Sequence, residues 1–231
     1  MITDLCGLAR RFAARLKADA RGLALTEFAF AMPVIFSIGM YGIEVSNLAL
    51  TNLRVSQVAL TLADSASRVG VRSSLSVQQL RESDINDVLE GARLQGENLK
   101  LAQKGRVTVS SLQVNSESGQ WIFWQRCLGL RSGTGYDSSY GVEGDGATGT
   151  AFTGMGEVGS QVTAPPDSAV IFVEINYDYE PVVGDWLIGD RKVQYVASFI
   201  VRDPRDLTQI YNPNPAATPS TCDLHSATVP A

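Results

Sequence analysis

Few residues in this chain are equipped for chemistry. There is one histidine, His225, and there are three cysteines, Cys6, Cys127 and Cys222. His225 lies in a proline-punctuated tail and cannot anchor a catalytic triad without help. Asp137, Glu143, Asp145 and Glu157 fall in one Gly-, Ser- and Thr-rich stretch and could together hold calcium. Their spacing is not that of an EF-hand loop, however, and no run like Gly-Lys-Ser supplies a phosphate cradle. Asp185, Asp190, Asp203 and Asp206 stand beside turns as solvated charges. "RDPRD" (202–206) reads as a structural salt bridge. Trp121, Phe123 and Trp124 read as core and edge packing rather than a sugar platform. The expectation is a protein that is not an enzyme, with no catalytic residue, no metal and no cofactor. The residue that is out of place is Glu27, a single acid inside an apolar run.

That run must be positioned by a membrane. Residues 1–21 carry Arg10, Arg11, Arg15, Lys17 and Arg21 against Asp4 and Asp19, a net of +3 in a chain of net charge −5. A basic head before an apolar run predicts a cytoplasmic N-terminus and an exported remainder. Between Arg21 and Glu44 lie 22 residues with Glu27 as their one charge. As a helix they span about 33 Å, enough for a bilayer core. The small-residue triplet Ala29-Phe30-Ala31 precedes the apolar core, which argues against a secretory signal peptide. A carboxylate deep in lipid costs roughly 2.5–3.5 kcal/mol on insertion scales and calls for a partner. If the chain is cut after Gly22, Leu23 gains a free α-amine. Glu27 then lies one helical turn away, on the same face. The net acidic remainder has no basic stripe, which argues against a nucleic-acid partner.

Arg21-Gly22, the small and apolar run that follows, Glu27-Phe28-Ala29 and Pro33 together resemble the N-terminus of the prepilin family. Within it they are most similar to the TadE-like minor pseudopilins of tight-adherence (Flp-type) pili. The likeness covers residues 20–45, and "FIVRDPRDLTQIYNP" only suggests the family. Leu23 stands where many type IV pilins have Phe. The resemblance implies that prepilin peptidase cuts between Gly22 and Leu23, and that Glu27 and Phe28 form an assembly contact. It implies a bacterial inner-membrane protein with its head periplasmic or extracellular, of a kind that can be incorporated in the pilus. Its partners would be other minor pseudopilins, the major pilin and the assembly platform, with roles in adhesion and biofilm formation. The alternative is an uncleaved single-pass envelope protein whose exported head binds a ligand or partner. Pro33 removes one backbone hydrogen bond and is expected to kink the helix.

Beyond the span, Leu48, Val55, Leu62 and Val69 recur every seven residues, with Val58, Ala59 and Ala66 beside them. One helix over residues 23–70 is therefore expected, its second half packed on the chain's own globular part. Residues 73–95 read as a second helix with Ser76 as N-cap. The period then changes to two, and 106–114, 121–127, 169–179 and 193–201 read as strands. Residues 115–120 suit a hairpin turn. In 169–179, Val170, Phe172 and Glu174 alternate with Ile171, Val173 and Ile175, so one face is expected to be the more buried. Helices first and antiparallel strands last predict an α+β fold. The domains expected are a leader at 1–22, the helix at 23–70 and a head at 71–231. Residues 132–160 are expected to be a flexible surface loop, with a ligand site the alternative, and the tail 212–231 to lie extended on the head. Cys6 would stay reduced in the cytoplasm. Cys127 and Cys222, both exported, read as one disulfide, with two buried free thiols the alternative. Such a bond closes a loop of about 95 residues, stabilising by roughly 4–5 kcal/mol on loop-closure entropy.

Overall fold

A computed structural model describes residues 11–19, 21–72 and 77–230. Cys6 and Ser76 lie outside them. Residues 11–18 are helical. Helix α1 (Arg21–Arg68) follows and runs unbroken through Pro33 for 48 residues, about 70 Å at the usual rise. A short antiparallel ladder, β1 (Val71–Arg72) with β2 (Gln78–Gln79), reverses the chain. Helix α2 (Glu82–Gln95) and the single turn α3 (Leu101–Lys104) lead into the sheet. The sheet comprises β3 (Gly105–Val114), β4 (Gln120–Leu128), β5 (Val170–Asp178) and β6 (Lys192–Ile200), with the turn α4 (Asp185–Ile188) before the last strand. All pairings are antiparallel and the order is β4-β3-β5-β6. The architecture is α+β, with one long apolar N-terminal helix and a small antiparallel sheet.

The stripe on α1 explains its packing. Val55, Val58, Ala59, Leu62, Ala63 and Ala66 are buried against Val107, Val109, Ile171, Val173 and Ile175 of the sheet, with Leu48 and Val69 at the margins. Small alanines let the helix approach the sheet closely, and the branched strand residues fill the space between them. Helix α1 therefore supplies one wall of the head's main core, and without it the Val107, Val109, Ile171, Val173 and Ile175 face of the sheet would lose its cover.

Four sequence expectations need correction. The second helix does not begin near residue 76. Gln78 and Gln79 are strand, Val77 is exposed, and α2 starts at Glu82. Gln78 is held from two sides: its side-chain amide donates to the Arg68 and Gly70 carbonyls, its backbone amide donates to the Pro204 carbonyl, and its carbonyl accepts from the Asp206 amide. Asp84 then closes the first turn of α2, accepting from the Arg81 amide at 3.0 Å and from its guanidinium at 2.6 Å.

Strand β5 does not have one wet face. Val170 to Tyr177 are all buried. The Ile171, Val173 and Ile175 face meets α1, while Val170 and Phe172 join Leu112, Ile122 and Met155 in a second apolar cluster. The cover on that side is the Gly-rich insert, which is a packed layer rather than a loose loop. Tyr140 sets its ring edge-on to Phe172 at 5.6 Å. Asp145 and Gly144 exchange backbone hydrogen bonds with Ile122, next to the β-bulge at Ser111/Leu112. Glycine is needed where this layer touches the sheet. Gly146 has φ +76°, and a Cβ there would stand 2.1 Å from the Gln120 carbonyl oxygen.

Among the described residues, the arginines after the last strand do not make the expected structural salt bridge. The Arg205 guanidinium reaches back to the C-terminus of α1, donating to the Val69 carbonyl at 2.6 Å and more weakly to that of Ala66. Burial pulls its pKa down to about 10. It satisfies carbonyls that a helix end leaves without partners. Asp206 instead accepts from Thr208 and from the Tyr211 hydroxyl, which hold its carboxyl below the usual range.

The tail is fixed to the head. Cys127 and Cys222 are disulfide-bonded, with Cα atoms 4.7 Å apart. Buried Arg106 donates to the carbonyls of Gly129, Leu224 and Cys222. Asn86 of α2 donates to Thr218 and Pro230, and accepts from the Ser220 hydroxyl.

Candidate functional site

The residues singled out near the N-terminus all lie on the uncovered half of α1. Leu23, Leu25, Phe28, Phe30, Val34, Phe36 and Ile38 are exposed. No residue in the most apolar 18-residue window of the helix is buried. In water this surface would be costly, at roughly 25 cal/mol per Å². The helix is long and apolar enough to cross a membrane.

Gly22 sits in the first turn of α1 with open space around it. Leu23 and Glu27 are four residues apart and share a face of the helix. The Thr26 hydroxyl donates to the Leu23 carbonyl at 2.8 Å. Glu27 is exposed, and so is Phe28 beside it. Pro33 has no N–H for the Ala29 carbonyl, and the helix continues past it, with Ser37 donating to the Pro33 carbonyl at 2.7 Å.

A second feature was not anticipated. Glu44 reads in the sequence as the charge that ends the apolar run. In the structure it is fully buried, at 0% exposure. Its carboxylate accepts from the Tyr179 hydroxyl at 2.5 Å, the Val183 amide at 2.7 Å and the Val182 amide at 3.1 Å. Asn47, nearly one turn on, donates to the Tyr179 oxygen at 2.7 Å. Burial first, and then the bond to Glu44, push the Tyr179 pKa up to about 12. A donating phenol and two amides make this a satisfied acceptor site rather than a stranded charge. The signal was present, because stepping back along the stripe from Val55 through Thr51 and Leu48 lands on Glu44.

Glu44→Ala removes the acceptor for both loop amides. Hydrogen exchange at Val182 and Val183 should then speed up by about tenfold or more, while the sheet amides keep their protection. Unchanged exchange in the loop would show that the carboxylate does not hold it.

The four acids of the insert are already engaged. Asp137 accepts from the Gly133 amide, Glu143 from the Gln125 amide and Arg126, Asp145 from the Val142 amide, and Glu157 from the Tyr140 hydroxyl. They have four separate sets of partners, and among the described residues no cluster of three or more His, Cys, Asp or Glu side chains is arranged to hold a metal ion. His225 is exposed in the tail. Trp124 is buried, and Trp121 packs edge-on to Phe123 at 4.9 Å. The disulfide lies in the head, apart from the bare half of α1. No protein-family model, curated protein or solved structure matches this chain, and its function has to be read from its own residues.

Proposed function

We propose that the chain is a minor pilin-like subunit of the TadE type. In this reading prepilin peptidase cuts it after Gly22, and it joins other pilin-like subunits in a tight-adherence pilus or its assembly platform. One observation carries the reading: α1 is a single helix with two regimes. Its first half is bare on all sides and holds one acid, Glu27, a turn from Gly22. Its second half is built into the head's core. A subunit of this form moves as one body, so a force on the head is transmitted to the apolar half. The apolar half can exchange lipid for neighbouring helices at little hydrophobic cost, since both are equally dry.

The cut site suits a protease. Gly22 and Leu23 lie in the first turn, where helices fray most readily, and the bond can be drawn out into an extended form. Gly22→Val places a branched side chain beside that bond and should abolish processing. The measurement is intact-protein mass spectrometry of membranes containing the peptidase. The native chain should lose 22 residues, roughly a tenth of its mass, and the variant none. An unprocessed native chain would favour an uncleaved anchor with a partner-binding head.

A further inference from the structure

Where the bare half of α1 ends, a loop of the head meets the helix. Residues 179–191 link β5 to β6, and Glu44 holds them by accepting from the Val182 and Val183 amides. Glu44 is also the point at which burial of α1 begins, for Ile38, Tyr41 and Ile43 just before it are exposed. The loop therefore lies level with the top of the apolar span. It presents two large apolar side chains to solvent, Val182 at 67% exposure and Trp186 at 72%.

Neither is carried on a slack segment. Trp186 belongs to the turn α4, closed by the Gly189 amide donating to the Asp185 carbonyl at 2.7 Å. Gly184 has φ +142°, and a Cβ there would lie 2.9 Å from the indole ring, so the ring rests on bare backbone. Ile188 at the end of the turn packs against the main core. On its other side the loop borders a polar cavity of about 570 Å³ lined by Lys104, Glu180, Asp185, Asp190 and Arg191. The apolar tip is thus backed by charged groups of both signs.

We propose that this loop is a second membrane contact, with Trp186 and Val182 seated in the interfacial layer of the bilayer that α1 spans. Indole is favoured there because its ring is apolar and its N–H can still reach water or a headgroup. Tyr41, exposed three residues before Glu44, supplies a second aromatic at the same level from the helix itself. The charged lining of the cavity stays in the headgroup region. One helix alone leaves a head free to spin about its axis and to bob along the membrane normal. A second contact fixed to α1 through Glu44 sets both the rotation and the height. The inference rests on α1 spanning a membrane, and does not depend on cleavage or on a pilus.

The test uses the full chain in phospholipid vesicles whose acyl chains are brominated near their headgroup end. Flotation with the vesicles is measured first. Tryptophan emission of the native chain is then compared with that of Trp186→Phe, in which Trp121 and Trp124 remain. The expected result is that the bromines quench most of the Trp186 emission and that aqueous iodide leaves it largely untouched. A chain that floats, but whose Trp186 emission is quenched by iodide and not by bromine, overturns the proposal. Quenching by neither overturns it too, since a protein surface would then cover the ring. A chain that does not float at all removes the membrane span itself, a failure distinguishable from the other two.

Discussion

Arg126→Met should destabilise the protein by about 3–5 kcal/mol, the usual result of removing one partner from a buried ion pair. The Arg126 guanidinium donates to Glu82 through two nitrogens, at 3.0 and 2.5 Å. Both residues are nearly buried, at 6% and 5% exposure. Glu82 is the first residue of α2 and Arg126 lies in β4, so the pair fixes where the helix sits against the sheet. Without Arg126 the Glu82 carboxylate is left in the interior with only the positive end of its own helix for company. Removing the acid instead is milder. In Glu82→Gln the arginine keeps Glu143 at 3.0 Å, and Glu143 is half exposed. The double variant Glu82→Leu with Arg126→Met removes both charges and should recover most of the loss, because an apolar pair of similar volume carries no desolvation cost. Thermal unfolding of the detergent-solubilised full chain reads this directly. At about 2–4 °C per kcal/mol for a chain of this size, Arg126→Met should lower Tm by about 6–20 °C. A shift within about 2 °C would show that solvent reaches the pair and that its apparent burial has little energetic weight.

This pair was invisible in the sequence, and the reason is general. The two residues are 44 positions apart, and nothing local distinguishes Arg126 from a surface arginine on an edge strand. What the sequence did carry was periodicity. The four strands are found within a residue or two of where the pattern placed them, because a strand buried on one face alternates and one buried on both, such as β5, reads as a short apolar run between turn residues. The stripe on α1 was equally legible through Val55, Leu62 and Ala66. It stopped being legible at Glu44, where the position belonged to the stripe and the residue type did not. The Gly-rich insert failed for a related reason. Low complexity and many glycines describe a disordered loop as well as they describe a layer pressed close against a sheet. Gly146 and its neighbours are small because backbone approaches backbone there, and composition alone does not separate the two cases. The arginines show the same limit. Arg106, Arg126 and Arg205 each use a buried guanidinium, but on three different kinds of acceptor: tail carbonyls, a carboxylate and a helix end. Their shared role emerges only when the chain is folded, since each joins segments far apart in sequence.

The strongest test of the proposed function falls on Glu27. In the uncut chain this acid lies within the apolar half of α1, on the side of the helix that also carries Leu23. Cleavage after Gly22 would place a protonated α-amine on Leu23, one turn from the carboxylate or beside that of a neighbouring subunit. Two opposite unit charges about 4 Å apart attract by roughly 4 kcal/mol at an effective dielectric of 20. That is comparable with the roughly 2.5–3.5 kcal/mol needed to hold a carboxylate at the centre of a bilayer. The acid is therefore tolerable in lipid only in so far as it finds a cation, and a filament of such helices supplies one per subunit. Three outcomes follow from Glu27→Ala. Membrane insertion should be unharmed or improved, since a charge has left the apolar span. Processing should continue, because the proposed cleavage bond lies in the first turn and Gly22 and the basic stretch are unchanged. Assembly should be lost, because an incoming subunit no longer has the one polar contact that sets its register among otherwise featureless apolar helices. The head should stay folded throughout, since the packed half of α1 begins at Glu44, more than four turns away. A deletion strain complemented with the variant, scored together for surface pili and for mature protein, separates these outcomes. Normal piliation at normal levels of mature Glu27→Ala would show that the acid is no assembly contact, and the reading of α1 as a pilin-type helix would lose its chemical basis.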